Sequence, residues 1–457
     1  MNRNSTLAAA IAAVLASGSS MASSPTPASA AAPNVGLYVA GSSAAKNAIL
    51  GALEGTASPA AGLCAGSYSV FSSTGDTNFF AVSCTPGSST GLPSANGSNI
   101  FTIWYRDEGG SVTGALPLVS GSTINQLSLA GATGSGPSYS VSVPGSSASN
   151  GIDDSFASGV FKAPVQFGIT DVEPARLTGA NYPSAYKSSV YGKATATQLA
   201  NLTATTIFDQ IFGIFVNTNS AAFSAAEAAG QGTSTASLQL SRDAVANILN
   251  GTDANWNEVQ LPGGAAVTTT SLPIVIVNRE QGSGSRTSTD LFFETDECNT
   301  VTQSPILETT KGTADYFSTG NVLAAANGIP GSITYASIDN AGSTSYPNLT
   351  LVAINGVQPS QLNAASGVYG DWFEATAVTG SNYTSLSADQ QGLIQYLITA
   401  FQTESTAPGA VDILANPNYN TAALPVSSTA SVNGGVTIYI NPFTRGGVSC
   451  NVPLDTL

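Results

Sequence analysis

Strand-like and helix-like segments alternate along this chain, and turns of glycine and hydroxyl residues separate them. Hydrophobic residues make up 42% of 457 positions, enough for a sizeable core. Together these features predict an α/β protein with open sheets. At roughly 150 residues per domain, the length corresponds to about three domains or two large lobes. Val35 to Ala40 reads as a strand, Gly41-Ser42-Ser43 breaks it, and Ala44 to Leu53 has helical spacing. Residues 64–105 read as short strands joined by Gly/Ser/Asn loops, and 114–165 as a long Gly/Ser-rich insertion. Apolar strands follow at Val165 to Ile169, Ile207 to Val216 and Pro273 to Val277, with a helix from about Ser241 to Asn250. A further helix opens after Gly282-Ser283-Gly284, Ser387 to Phe401 forms a capped amphipathic helix, and Gly435 to Ile440 reads as a strand in the tail. No internal repeat has a fixed period.

Composition excludes several functions. Charged residues are only 9%, against roughly 25% in an average soluble domain. Lys and Arg number 12 against 27 Asp and Glu, a net charge of -15. A nucleic-acid or anionic-membrane surface needs a basic field, which this chain lacks. The sequence has no histidine, which removes His-based triads, His-ligated metals and imidazole bases.

Residues 1–22 read as a signal peptide: Asn2-Arg3-Asn4 is a short basic start, and Leu7 to Ala16 is an apolar run too short to span a bilayer. Ser20-Met21-Ala22 and Ala28-Ser29-Ala30 are the two candidate cleavage sites. No cysteine lies near either, so a periplasmic or secreted product without a lipid anchor or membrane span is expected. The 4 cysteines suit an oxidising compartment. Cys64 and Cys84 bracket a short turn-rich segment, which predicts a local cystine and leaves Cys298 with Cys450.

The most informative segment is Val275-Ile276-Val277-Asn278-Arg279-Glu280-Gln281-Gly282-Ser283-Gly284-Ser285. A buried strand ends in an arginine, a Gly-Ser-Gly turn follows and a helix opens. Free N–H groups, glycines, hydroxyls and a guanidinium fork make an anion site. The plainer alternatives are a ribose or nucleotide loop, or a capped helix beside a surface arginine. Phe167-Gly168-Ile169-Thr170-Asp171 is a strand ending in a carboxylate, which alone reads more simply as a helix cap. Tyr105-Arg106-Asp107-Glu108-Gly109-Gly110-Ser111, taken alone, reads as a tight turn.

In this order, the Gly-Ser-Ser turn, the Gly-Gly-Ser turn, the Thr-Asp strand end and the Arg…Gly-Ser-Gly-Ser segment resemble the four binding loops of phosphate-binding periplasmic proteins. These are the capture components of phosphate ABC importers and their extracellular relatives. Ile248-Leu249-Asn250-Gly251-Thr252 with Asn255-Trp256-Asn257, and Gly328-Ile329-Pro330-Gly331-Ser332-Ile333-Thr334-Tyr335, resemble further family landmarks. The resemblance spans roughly residues 34–370 and is most specific at Arg279. It implies a type II periplasmic-binding-protein-like fold: two α/β lobes, two crossover strands and a ligand cleft between. Lobe one would hold 34–205 and 371–457, lobe two 206–370. By matching position, Ser43 and the Ala44 N–H, Ser111, Asp171, Arg279, Ser283, Gly284 and Ser285 would bind phosphate, with Asp171 accepting the bond from its proton. The chain departs from the family pattern at Ser43-Ala44 (usually Thr-Phe), Gln281 (usually Asp) and Ser285 (usually Thr), and Arg106, Asp107 and Glu108 are unusual there.

The expected function is therefore an exported, monomeric protein that captures inorganic phosphate. It needs no cofactor or metal, performs no catalysis, and has an ABC permease as its membrane partner. A surface, matrix or adhesin protein on the same scaffold is the alternative, favoured by low charge and hydroxyl-rich loops. An extracellular phosphatase fits less well, because histidine and a dense two-metal Asp cluster are absent.

Overall fold

The structure, a computed structural model, describes residues 24–44, 46, 63–144, 156, 158–182, 191–223, 238–294, 315–402, 423–424 and 442–455. The expected signal peptide, most of the helix after Ala44, the tail strand 435–440 and Cys298 lie outside the described residues.

The first strands are β1 (Val35–Gly41), β2 (Cys64–Gly75), β3 (Phe79–Pro86), β4 (Phe101–Arg106), β5 (Thr123–Leu127), β6 (Thr133–Ser135), β7 (Ser138–Val143), β8 (Val160–Pro164) and β9 (Phe167–Thr170). The long β10 (Thr203–Asn217) follows, and then β11 (Gln239–Leu240), β12 (Val275–Ile276), β13 (Ser332–Ser337), β14 (Leu349–Leu351), β15 (Ala353–Ile354) and β16 (Trp372–Thr379). Hydrogen bonding orders the main sheet β12-β13-β10-β16-β9-β1-β4-β3-β2-β7-β6, while β5 pairs with β8 and β11 with β15. β1 runs parallel to both β4 and β9, so all three end at one edge. Ligands of open α/β sheets gather at that edge.

Two lobes share this sheet. The first half of β10, Thr203 to Ile211, pairs with β16, and the second half, Phe212 to Asn217, with β13 and β14. The chain thus leaves one lobe along β10 and returns along β16. A register shift between Thr206 and Phe208 marks a bulge in β10, a device that bends and twists a strand. One core centres on Ile214, Ile248, Trp256, Leu323 and Ile333. Trp256 is fully buried, stacks edge-on to Phe223 and donates Nε1–H to the Gly331 carbonyl at 2.8 Å, joining the two landmarks around Trp256 and Gly331. The other lobe has cores beneath β1, β4 and β9 and around Trp104, and a further cluster joins Val112 and Leu116 to Leu291 and Phe317 across the two lobes.

Helix ends follow the sequence signals. The Arg242–Leu249 helix has Ser241 as its N-cap, with Oγ accepting from Ala244 N. In the Ala388–Gln402 helix, Ser387 Oγ accepts from Gln390 N while Gln390 Oε1 accepts from Ser387 N, a reciprocal capping box. Cys64 and Cys84 form a disulfide across the β2–β3 hairpin, and Cys450 is also disulfide-bonded. The segment Pro27–Ala31 is a short helix packed on the sheet, with Ala30 buried and its carbonyl accepting from Thr102.

The reading of 114–165 as one insertion needs correction. Ser111–Ser120 is a single helix, so 114–120 belong to the unit that follows the second loop. Gly114 and Pro117 concealed its helical pattern, yet Gly114 is required. A Cβ there would stand 2.9 Å from the Ala40 and Ile169 carbonyl oxygens, because the helix backbone lies directly on the strands. β6 and β7 extend the sheet edge beyond β2.

Candidate functional site

Four segments distant in sequence meet at the shared strand edge. Gly41, at φ +139, turns the chain as β1 ends; a Cβ there would lie 1.9 Å from the Ile169 carbonyl oxygen, so only glycine permits this approach. Ser42 follows, fully buried, and its hydroxyl makes a short hydrogen bond to Asp171 Oδ1. Ser111 Oγ donates to Asp171 Oδ2 at 3.1 Å and accepts from the Asp171 backbone N–H at 2.9 Å. Gly284 presses onto the same pair: a Cβ would meet Ser111 Oγ at 2.2 Å and Asp171 Oδ2 at 2.4 Å. Asp171 is therefore a buried carboxylate clasped by two hydroxyls and faced by glycine backbone.

Arg279 is 1% exposed. Its guanidinium donates to the Tyr316 carbonyl from Nε (3.2 Å), to Thr319 Oγ1 from Nη1 (3.1 Å) and to the Phe317 carbonyl from Nη2 (3.1 Å). Thr319 Oγ1 also lies 2.7 Å from Ser43 Oγ, so Ser43 joins the arginine through a hydroxyl bridge. Gly110 closes the gap on the other side, where a Cβ would lie 3.1 Å from Arg279 Nη2 and from Ser283 Cα. Arg286, also buried, supports Arg279 by donating Nη1–H to its carbonyl at 3.1 Å.

The expected residues Ser111, Asp171 and Gly284 are thus in direct contact, and Arg279, Ser283 and Ser43 stand around them. Ser283 caps the Gly284–Thr289 helix by accepting from Arg286 N. Ser285 is buried, with no hydrogen-bond partner on its Oγ among the described residues. The Ala44 N–H donates to Ser42 Oγ at 3.0 Å. Sequence reasoning passed over Ser42 and Thr319. Ser42 could have been weighed equally with its neighbour, since two adjacent hydroxyls occupy the turn, whereas nothing in the local pattern marks Thr319.

Burial sets the electrostatics. It pushes the Asp171 carboxyl above its ordinary value, while the Ser42 and Ser111 hydroxyls and Arg279 oppose that rise. Burial also pushes the Arg279 guanidinium down, against Glu280, Asp171 and Asp107; an arginine stays charged at neutral pH regardless. Asp107 is raised to about 6, chiefly by burial and despite Lys46 at 3.6 Å. Asp371, beneath Arg445 at the start of β16, is raised by burial to about 7. A carboxyl whose folded pKa is raised favours the fold fully below its unfolded pKa, near 4. That contribution is lost as pH climbs through the folded values of about 6 and 7. A tenfold change in a group's proton affinity between the unfolded and folded chain corresponds to about 1.4 kcal/mol. Thermal melts are expected to show a higher Tm at pH 5 than at pH 8, and Asp371→Asn should flatten that slope. A slope of opposite sign would show that other carboxylates dominate.

Among the described residues, no group of three or more His, Cys, Asp or Glu is placed to hold a metal ion, and no helix is long and apolar enough to cross a membrane.

Fold and site together define a two-lobed α/β architecture with convergent loops at the crossing between lobes. No protein-family model matches the sequence, and no curated protein matches it. Among solved structures, the chain is similar to a substrate-binding protein assigned to phosphate ABC transport from Clostridium perfringens, which holds phosphate. The identity is 15%, with 86% of this chain and 100% of that one covered, at a TM-score of 0.45. It is similar as well to a phosphate-binding protein from Stenotrophomonas maltophilia, at 13% identity, 91% and 99% coverage and a TM-score of 0.42. A third, an ABC-type phosphate transport receptor from Vibrio cholerae, shares 16% identity over 56% of this chain and 80% of that one, at a TM-score of 0.33.

Proposed function

We propose that the protein is an exported solute-binding protein that captures inorganic phosphate where these loops meet and does so without chemical change. The observation that carries this reading is the Asp171 carboxylate, buried at 3% exposure, with hydroxyl donors on both oxygens and the Arg279 charge nearby. A bound oxyanion would take over the Ser42, Ser43, Ser111 and Arg279 donors, with Ser283, the Ala44 N–H and the Gly284 and Ser285 backbone completing its shell. Asp171 then accepts the proton that phosphate retains and sulfate lacks, so sulfate would set two unpaired acceptors against each other. The net charge of -15 does not oppose this, because remote surface charges are screened beyond about 8–10 Å while the site donors are not. The protein would act outside the cytoplasm as a monomer, and the permease of an ABC importer is the membrane partner to which such a capture protein delivers.

Calorimetry of the processed protein with phosphate and with sulfate tests the reading directly: phosphate should bind far more tightly than sulfate. Asp171→Asn supplies a donor in place of an acceptor, so the preference for phosphate should fall about tenfold or more, the equivalent of ~1–3 kcal/mol at an unpaired buried group. An unchanged phosphate-to-sulfate ratio would confine Asp171 to its bonds with Ser42 and Ser111.

A further inference from the structure

Residues 442–455 form a strap across the crossing between the lobes. Phe443–Thr444 pair with Leu454–Asp455, and Arg445 draws the loop between them together by donating from Nη1 to the Ser449 and Asn451 carbonyls at 3.2 and 2.8 Å. On the lobe-one side, buried Glu374 of β16 accepts from Arg445 N at 3.0 Å, from Gly447 N at 2.5 Å and from Thr444 Oγ1. Glu173, two residues beyond Asp171, accepts from Ser449 N at 3.0 Å and from the Ser449 hydroxyl. Bonds from backbone N–H groups to a carboxylate are charge-assisted and about twice as strong as neutral ones. On the lobe-two side, Phe443 packs on that lobe's core and against Gly367, where a Cβ would stand 2.6 Å from its ring. Arg445 Nη2 donates to the Gly370 carbonyl at 3.3 Å, and the guanidinium lies 4.9 Å from the Trp372 and Phe373 ring centroids, where β16 enters lobe one. Gly447 meets the β10 bulge: a Cβ on it would lie 3.7 Å from Thr206 Oγ1. Cys450 is disulfide-bonded, which anchors this segment covalently as well.

We propose that this strap braces the hinge, holding the lobes in their closed arrangement and thereby setting how fast a captured ligand leaves. The cleft is closed in the arrangement described, because backbone bonds run directly from wall to wall: Val112 N to the Gly282 carbonyl at 2.9 Å and Gly109 N to the Phe317 carbonyl at 3.1 Å. Hinged closure around a ligand turns on a few residues that absorb the backbone change, and the strap is fastened on both sides of the crossing and at the bulge. Rotating one lobe against the other alters the span from Glu173 to Gly367. A loop gathered by Arg445 cannot follow that change without giving up contacts at one end. None of its contacts involves a residue assigned to the anion, so the brace acts on every ligand alike, chiefly through the rate of dissociation. The inference holds whatever the ligand is.

The test places Arg445→Ala in the full processed protein and measures the lobes directly. Spin labels go on cysteines introduced by Thr133→Cys and Asn247→Cys, exposed positions in lobe one and lobe two. Pulsed dipolar spectroscopy is expected to show a broader interlobe distance distribution than in the labelled wild type. Stopped-flow release of phosphate should be roughly fivefold faster or more, with the phosphate-to-sulfate affinity ratio kept within about twofold. Glu173→Ala, which unfastens Ser449 alone, should move both readouts the same way by a smaller factor, and it carries the test if Arg445→Ala does not fold. An unchanged distance distribution overturns the inference even where the melting temperature falls, since the strap would then serve stability only. A changed phosphate-to-sulfate ratio overturns it too, by placing the effect at Asp171 instead of the hinge. If phosphate does not bind, the phosphate reading fails while the interlobe distances still decide the role of the strap.

Discussion

Arg279→Ala is expected to weaken phosphate and sulfate alike by about 2–5 kcal/mol, the usual cost of losing a buried charged hydrogen-bond partner. In Kd this is roughly thirty-fold to several-thousand-fold. The uniform loss distinguishes it from Asp171→Asn, which alters selectivity. Arg279 also ties down the Tyr316 and Phe317 carbonyls and Thr319, so part of the loss would come from a loosened wall. Arg279→Lys separates the two contributions: a lysine keeps a point charge but cannot make the three-sided guanidinium contact, and its affinity should fall between those of the wild type and the alanine variant. Calorimetry with both anions reads the result. An Arg279→Ala affinity within threefold of wild type would place the anion site elsewhere.

The second large effect concerns stability. Gly168 lies in β9 where the Ser111–Ser120 helix crosses, and a Cβ on it would stand 1.9 Å from the Gly114 carbonyl oxygen. The obstacle is backbone, so no side-chain rotation relieves it. Gly168→Ala must push the helix off the strand, at an expected cost of about 3 kcal/mol, the upper part of the range for overpacked interiors. Because Ser111 begins that helix and bonds Asp171 three residues beyond Gly168, affinity should fall along with the denaturation midpoint. Urea unfolding measures the first and calorimetry the second. A variant as stable as wild type would mean that the helix can ride outward freely.

The convergence of the loops was legible because each lies at a strand end and carries residues whose chemistry makes sense only together: Asp171 alone reads as a helix cap, and with Ser111, Gly284 and Arg279 it reads as an acceptor for a protonated oxyanion. What stayed hidden depended on side-chain direction or on distant chain. Sequence places Ser42 and Ser43 side by side but cannot say which hydroxyl faces Asp171; the turn at Gly41 decides that it is Ser42. Thr319 reaches Arg279 across 40 residues of sequence. Asp107 and Glu108 read only as departures from a family pattern, yet one borders a cavity and the other holds buried Arg106 at 2.6 Å. Gly114 and Pro117, normally signs of irregular chain, disguised a helix whose closeness to the strands demands a glycine.

β10 pairs along its first half with β16 and along its second half with β13 and β14, so it is a strand of both lobes. In a two-domain protein joined by a loose linker, one half can melt while the other persists, and heating resolves two steps. Here neither half can unravel without stripping a strand from the other's sheet, so the chain should melt as one cooperative unit despite its length. Scanning calorimetry is expected to give a single endotherm in which the van't Hoff and calorimetric enthalpies agree. The same continuity gives the two walls of the cleft a common mechanical frame, so any relative motion between them is expected to flex β10, with the bulge between Thr206 and Phe208 as the natural place to bend.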